Sequence, residues 1–237
     1  MCAAALLAED GELLHYVLNG EHGFAAHMER SVLADGLWYE GDNYHFATVP
    51  SLVNMAEMCR HGGIDLYHRS FGGHSMEDMF LAPLKSLQPD LSFPSRKDSP
   101  YASQIAQRWY SGLYELAHAR YENAAFGRIL QVMYAHPLPE GADLKNAAGL
   151  MDIFPAEPAS RSGLDWRGFM TMKPDLGEET GVPVTRSVNM EGTGLAVLRR
   201  EKGRQYLSLD YGDYGGGHGH PDRLAVTWFA DGRRWLC

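Results

Sequence analysis

Apolar positions follow two different rhythms along the chain. Leu6, Leu13, Leu14, Val17 and Leu18 keep a helical period, broken at Asp10-Gly11 and closed at Asn19-Gly20. Phe24, Met28 and Val32 extend a helical face as far as Asp35-Gly36. Leu52, Val53, Ala56 and Cys59 share one face of a further helix, which is expected to carry Pro50 in its first turn and to stop at His61-Gly62-Gly63. Met76, Met79, Phe80, Leu84 and Leu87 mark another, which Pro83 is expected to end or kink. Ile105, Trp109, Leu113 and Leu116 give the clearest amphipathic pattern, and Phe126, Ile129, Leu130 and Met133 follow it. Residues 37–46 interrupt the series. They are dense in aromatic and polar groups and poor in helix formers, so they read as an irregular connection.

Residues 135–192 carry Pro137, Pro139, Pro155, Pro158, Pro174 and Pro183 among scattered glycines, the mark of a connector with short elements. Beyond them the period becomes two. Leu195, Val197 and Arg199 alternate with Ala196 and Leu198. Lys202-Gly203 reads as a turn, and Gln205–Tyr211 and Leu224–Phe229 as strands. Asp231-Gly232 is a hairpin turn, with Arg234–Cys237 beyond it. The pattern predicts an α+β multidomain chain: helices over 1–135, a connector over 136–192 and an antiparallel sheet over 193–237. Both ends read as cut, since the first helix lacks an entry signal and the last strand stops at Trp235-Leu236-Cys237.

Composition narrows the function classes. In 237 residues, 21 Lys and Arg stand against 30 Asp and Glu, a formal charge of −9. No basic cluster exceeds a dipeptide, which argues against nucleic acid as a partner. No apolar run approaches the roughly 20 residues of a membrane span, so no membrane partner is expected. The apolar stretch after Met1 lacks basic residues and stops at Glu9-Asp10, so it does not read as a signal peptide. Cys2, Cys59 and Cys237 are too few and too scattered for a metal pattern or a disulfide framework, and they leave the redox compartment open. Oligomeric state is likewise unmarked.

Two segments carry chemistry. In Gly215-Gly216-Gly217-His218-Gly219-His220-Pro221-Asp222, a flexible backbone adjoins two imidazoles that an extended chain would turn to one side; a Gly-rich loop with surface histidines is the plainer reading. Two histidines alone fall short of a zinc site. In Trp38-Tyr39-Glu40-Gly41-Asp42-Asn43-Tyr44-His45, rings, carboxylates and an amide suit a sugar-binding cleft, against a helix connector whose aromatics are core. His15, His61, His68, His74, His118 and His136 read as surface or packing residues, and Met76 and Met79 as core filling.

Taken together and in this order, the segments resemble the heparinase II/III-like and oligoalginate polysaccharide lyases. Residues 37–46 are similar to that family's Asp-Gly…Glu-Gly…Tyr-His segment. His61–Tyr67, Phe93-Pro94 with Asp98-Ser99, Glu191–Arg199 and Gly215–Leu224 resemble the stretches that follow, with Lys97 in place of the usual Asn and Arg223 in place of the usual Lys. The resemblance implies the last helices of an (α/α) toroid followed by the start of an antiparallel β-sandwich. It also implies a periplasmic or secreted enzyme that cleaves an acidic, uronic-acid-containing polysaccharide or oligosaccharide by β-elimination. It makes Tyr44 and His218 catalytic and Trp38, Glu40, Asn43 and His45 substrate-binding. His220 becomes a ligand of a structural zinc whose other ligands lie beyond Cys237. Arg96, Arg199 and Arg223 are candidate cleft cations. At its ordinary pKa of about 10 a phenol is a poor base unless a nearby positive charge lowers it. Once deprotonated, Tyr44 can take the C5 proton, and as a phenol it can equally protonate the leaving oxygen. His218 is either the base for the opposite C5 epimer or the group that polarises the phenol, a choice the sequence leaves open. A glycoside hydrolase using Glu40 and Asp42, and an inactive carbohydrate-binding fragment, are the competing readings.

Overall fold

The computed structural model describes residues 1–99, 104–136, 157–164, 166–214 and 218–236; Pro137, Pro139, Pro155, Gly215–Gly217 and Cys237, used in the sequence reading, lie outside them. The helical half comprises α1 (Cys2–Leu7), α2 (Gly11–Asn19), α3 (Phe24–Ser31), α4 (Asp42–His61), α5 (Met76–Ser86), α6 (Arg108–Arg120) and α7 (Ala124–Ala135). The polar residues that break the periodicity are caps. The Asp10 carboxylate accepts from the Leu13 N–H, and Asn123 accepts from Ala125. Ser75 and Asp78 bond each other's backbone N–H in a capping box that starts α5.

Pro50 does not sit in a first turn and Pro83 does not end its helix, for one reason. α4 begins at Asp42, eight residues before Pro50, and α5 runs through Pro83 to Ser86. In both helices a buried stripe continues through the proline. Asp42, His45, Phe46, Val49, Leu52, Val53, Ala56 and Cys59 are all buried on α4, so packing holds the helix where local preference would end it. The aromatic segment is thus only half irregular: its second half is the first turn of α4.

After a short α8 (Trp166–Thr171), the chain forms an antiparallel meander: β1 (Val188–Met190), β2 (Leu195–Arg200), β3 (Gln205–Asp210), β4 (Val226–Ala230) and β5 (Arg233–Leu236), paired in sequence order. β1 lies inside the stretch expected as connector and pairs Val188 with Val197. One five-stranded sheet and a helical layer are what the described residues contain; a closed toroid and a second sheet are not seen among them.

Strand alternation puts Leu195, Val197 and Arg199 of β2 beside Asp210, Ser208 and Tyr206 of β3 on a buried face. Leu195, Val197, Tyr206 and Phe229 pack there against Leu37 and Ala82 of the helical half. Polar bonds fasten both ends of this seam. The last carbonyls of α5, which have no partner within their own helix, are taken up by the sheet. Arg199 donates to the carbonyls of Lys85 at 2.7 Å and Leu87 at 2.9 Å, and the Tyr206 hydroxyl donates to that of Ser86 at 2.9 Å. Arg199 is therefore 8% exposed and structural, which removes it from the candidate cleft cations.

At the opposite end, Arg96 donates through Nε to Asp210 at 2.8 Å and through Nη2 to the Thr193 carbonyl at 3.3 Å. It also faces Asp42, at the start of α4, at 3.7 Å. Thr193 in turn bonds Asp35 through its N–H and its hydroxyl, each at 2.7 Å. Arg96 is 3% exposed, so it too is a strut and not a cleft cation. Among the described residues no helix is long and apolar enough to cross a membrane.

Candidate active site

The seam places three short segments edge to edge. The first is the start of α4. Gly41 precedes it at φ 101°, a conformation side chains rarely adopt, and a Cβ there would press on the Lys97 side chain. The second is the loop 96–99. The third begins at His218; a Cβ at Gly219 would collide with the Tyr214 carbonyl, so the residue between the two histidines has no room for a side chain.

The loop knots the other two segments together. Lys97, at φ 51°, donates its N–H to the Asp222 carboxylate and its ammonium to the Tyr39 carbonyl at 2.6 Å. The Asp98 N–H donates to the His218 carbonyl at 3.2 Å, and Asn43 donates its amide to the Asp98 carbonyl at 3.1 Å. Left-handed φ at a lysine costs free energy that the surrounding bonds must supply, and such strain clusters at functional sites.

The result is a compact constellation. The Tyr44 and His218 rings stack with centroids 3.7 Å apart and planes 21° from parallel. Both reach one carboxylate oxygen: the Tyr44 hydroxyl donates to Asp98 Oδ2 at 3.0 Å, and His218 Nδ1 lies 3.3 Å from the same atom. His218 Nε2 is 3.9 Å from Glu40 Oε1, while Glu40 Oε2 accepts from the Trp38 indole N–H at 2.8 Å. The His218 side chain is 40% exposed, and Asp98 is similarly open. A bond to Asp98 requires hydrogen on Nδ1, which leaves the Nε2 lone pair of a neutral imidazole free. Burial, the bond to Asp98 and the charges of Asp98 and Glu40 push the Tyr44 pKa up, so the phenol is a proton donor at neutral pH.

Of the residues singled out from sequence, Tyr44, His218, Glu40 and Asn43 come together here. Trp38 is 7% exposed and is mostly packed under the site. His220 stands beside it, Nε2 4.0 Å from Asp98 Oδ1. Arg223 lies at the surface on Asp213 at 2.7 Å.

His45 does not belong to the site. It is fully buried, accepts from the Trp38 N–H through Nδ1 at 3.0 Å and reaches the Met79 carbonyl through Nε2 at 2.9 Å. Pro83 explains this. Having no N–H, it leaves the carbonyl four residues earlier, that of Met79, without its helical partner, and the imidazole supplies the donor. Burial lowers the His45 pKa to about 4. Below pH 6.5 the unfolded chain therefore takes up a proton that the folded chain refuses. Stability is lost progressively as the pH falls from about 6.5 to 4, by up to about 3 kcal/mol. Thermal melts of wild type and His45→Gln across this range should converge toward acid pH, with the wild type losing more; parallel curves would sink the assignment.

Asp98, which touches both rings, is the site residue that sequence reasoning noticed only as part of a loop. Its signal is its position after Lys97, where strained backbone aims the carboxylate at both rings.

For a zinc ion the fit is incomplete. No group of three or more His, Cys, Asp or Glu side chains converges among the described residues, and His220 Nε2 stands 4.0 Å from the Asp98 carboxylate.

No protein-family model matches the chain, and no curated protein matches it. Solved structures do. Heparan sulfate lyase HepC from Pedobacter heparinus aligns at a TM-score of 0.55 and 15% identity, covering 98% of this chain and 30% of that enzyme. Heparinase III aligns at a TM-score of 0.60 and 13% identity, covering 98% of this chain and 32% of its own. The chain spans about a third of the length of these proteins. Over nearly its whole length, the chain has a heparinase-like fold.

Proposed function

We propose that the protein is a polysaccharide lyase that cleaves a uronic-acid-containing chain by β-elimination, with His218 as base and Tyr44 as acid. The observation that carries this reading is the stacking of the two rings over a shared Asp98 oxygen, from opposite sides of the helix–sheet seam. His218 Nε2 takes the proton from C5 of the uronic acid, the C4–C5 double bond forms, and the C4–O4 bond breaks with its electron pair leaving on oxygen. Tyr44 protonates that oxygen. The imidazolium so formed lies between Asp98 and Glu40, which stabilise it; Nε2 then returns its proton to solvent, which reaches the exposed side of His218, and Tyr44 regains its own from solvent. Asn43 holds Asp98 through its carbonyl and so orients the pair. The charge that builds on the substrate carboxylate also requires donors; Arg96 and Lys97 are turned inward, so those donors lie outside this constellation. An acidic glycosaminoglycan of heparan sulfate type is the first substrate to try, given the structural neighbours; alginate is the second. An enzyme acting on such a polymer would work in the periplasm or outside the cell.

The test is to incubate the full-length protein with heparan sulfate, hyaluronan and alginate while following ultraviolet absorbance. A lyase product carries a conjugated double bond and absorbs. New saturated reducing ends without absorbance would establish a hydrolase instead, and binding without any product would establish a carbohydrate-binding role.

His220 as a zinc ligand is part of this proposal. If bound there, zinc would brace the segment that carries His218. The His220→Ala protein should contain less zinc by elemental analysis and melt several degrees lower. Unchanged zinc stoichiometry counts against the assignment.

A further inference from the structure

We propose that Cys2 and Cys59 are a disulfide-forming pair that ties α1 to the C-terminal end of α4. Their sulfurs lie 3.6 Å apart, both thiols are buried at 6% and 0% exposure, and the two residues are 57 positions apart in sequence. Cys2 opens α1, and Cys59 sits on the buried stripe of α4, two residues before its end. Each is therefore presented from a regular helix and not from a loose tail. Gly62, one residue past α4, packs so closely on α1 that a Cβ there would meet the Leu6 side chain at 2.7 Å. The two helices thus also meet beyond the sulfur pair, at Gly62 and Leu6. Bond formation needs the sulfurs to close from contact to about 2 Å.

The reaction is thiol–disulfide exchange with a disulfide donor such as oxidised glutathione. One cysteine loses its proton and attacks the donor, releasing one reduced glutathione and leaving a mixed disulfide. The second loses its proton and attacks the protein-bound sulfur, releasing the other glutathione and forming the Cys2–Cys59 bond. The protein gives up two electrons and two protons, and the donor takes them. Burial and the neighbouring Cys2 thiol raise the Cys59 pKa to about 12, so little thiolate exists in the closed structure. Exchange accordingly proceeds when α1, only six residues long, opens locally.

This inference is independent of the proposed enzymatic activity. The full-length protein is held with oxidised or reduced glutathione under mildly denaturing conditions, returned to native buffer, and digested without reduction for mass spectrometry. The expected result is a cross-linked peptide joining Cys2 to Cys59. The oxidised protein should melt roughly 5 °C or more above the reduced form, because closing so long a loop restricts the unfolded chain. Reducing agent should abolish the difference, and Cys2→Ser protein should not show it. Stable glutathione adducts without the cross-link, pairing of either cysteine with Cys237, or a cross-linked protein that melts no higher than the reduced one would each overturn the proposal.

Discussion

Replacing Tyr44 by Phe should leave the full-length protein folded and its substrate affinity little changed, while kcat falls by about 10²–10⁴-fold, the usual contribution of a positioned proton donor. The substitution removes one oxygen. The ring that stacks on His218 at 3.7 Å remains, and so does the His218–Asp98 contact, so the base keeps its neighbours. What disappears is the proton that, in the proposed elimination, goes to the departing O4 oxygen. The wild-type phenol is held above its ordinary pKa by burial, by its bond to Asp98 and by the charges of Asp98 and Glu40. It therefore stays protonated through neutral and mildly alkaline pH, and the wild-type rate should show no alkaline decline there that is due to Tyr44. Steady-state kinetics on the uronic-acid polymer, beside a thermal melt of each protein, decides the matter. Turnover preserved in Tyr44→Phe removes the acid from the scheme; a collapsed melt would instead make Tyr44 structural.

The largest stability effect is expected at Arg96. Its guanidinium bonds Asp210 at 2.8 Å and faces Asp42 at 3.7 Å, all three nearly inaccessible to water. Arg96→Met strips that charge from two buried carboxylates, at a cost of about 3–5 kcal/mol. Burial already raises the Asp42 pKa even with Arg96 present, and Arg96 Nη1 and Asp42 Oδ2 make no hydrogen bond, so the arrangement has little reserve. Denaturant unfolding measures the loss. Adding Asp42→Asn to Arg96→Met should return part of it, because one of the stranded charges is removed; a double variant no more stable than the single one would show that the ion pairs are not the cause. Arg96 stands two residues before Asp98, and Asp42 two before Tyr44. The surviving folded fraction should therefore also turn over more slowly.

Much of this was readable from residue order, and the misses have physical causes. The strand rhythm from Leu195 to Leu236 appears in β2 to β5 because a half-buried antiparallel sheet writes its alternation directly into the sequence. β1 did not register, since three residues cannot show a period. The start of α4 is hidden because Asp42, Asn43 and Tyr44, its first three residues, are weak helix formers. The deciding stripe through Phe46, Val49 and Val53 becomes decisive only once a core exists to receive it. His45 was misassigned for a related reason: its partner, the Met79 carbonyl, is vacated by a proline far along the chain. The pairing of Tyr44 with His218 came from resemblance and not from any local pattern. Asp98, which joins them, is set by a backbone turn that no side-chain periodicity records.

The seam has a consequence for how such proteins diversify. Tyr44 and Asp98 arrive from one half and His218 from the other, and Arg96, Asp35, Ser86 and Arg199 match partners across the joint. The halves are not interchangeable modules. A recombination event that swapped the sheet alone would import a foreign set of partners and strand buried charge. Inheritance of the joint as one block is the path that keeps a working site.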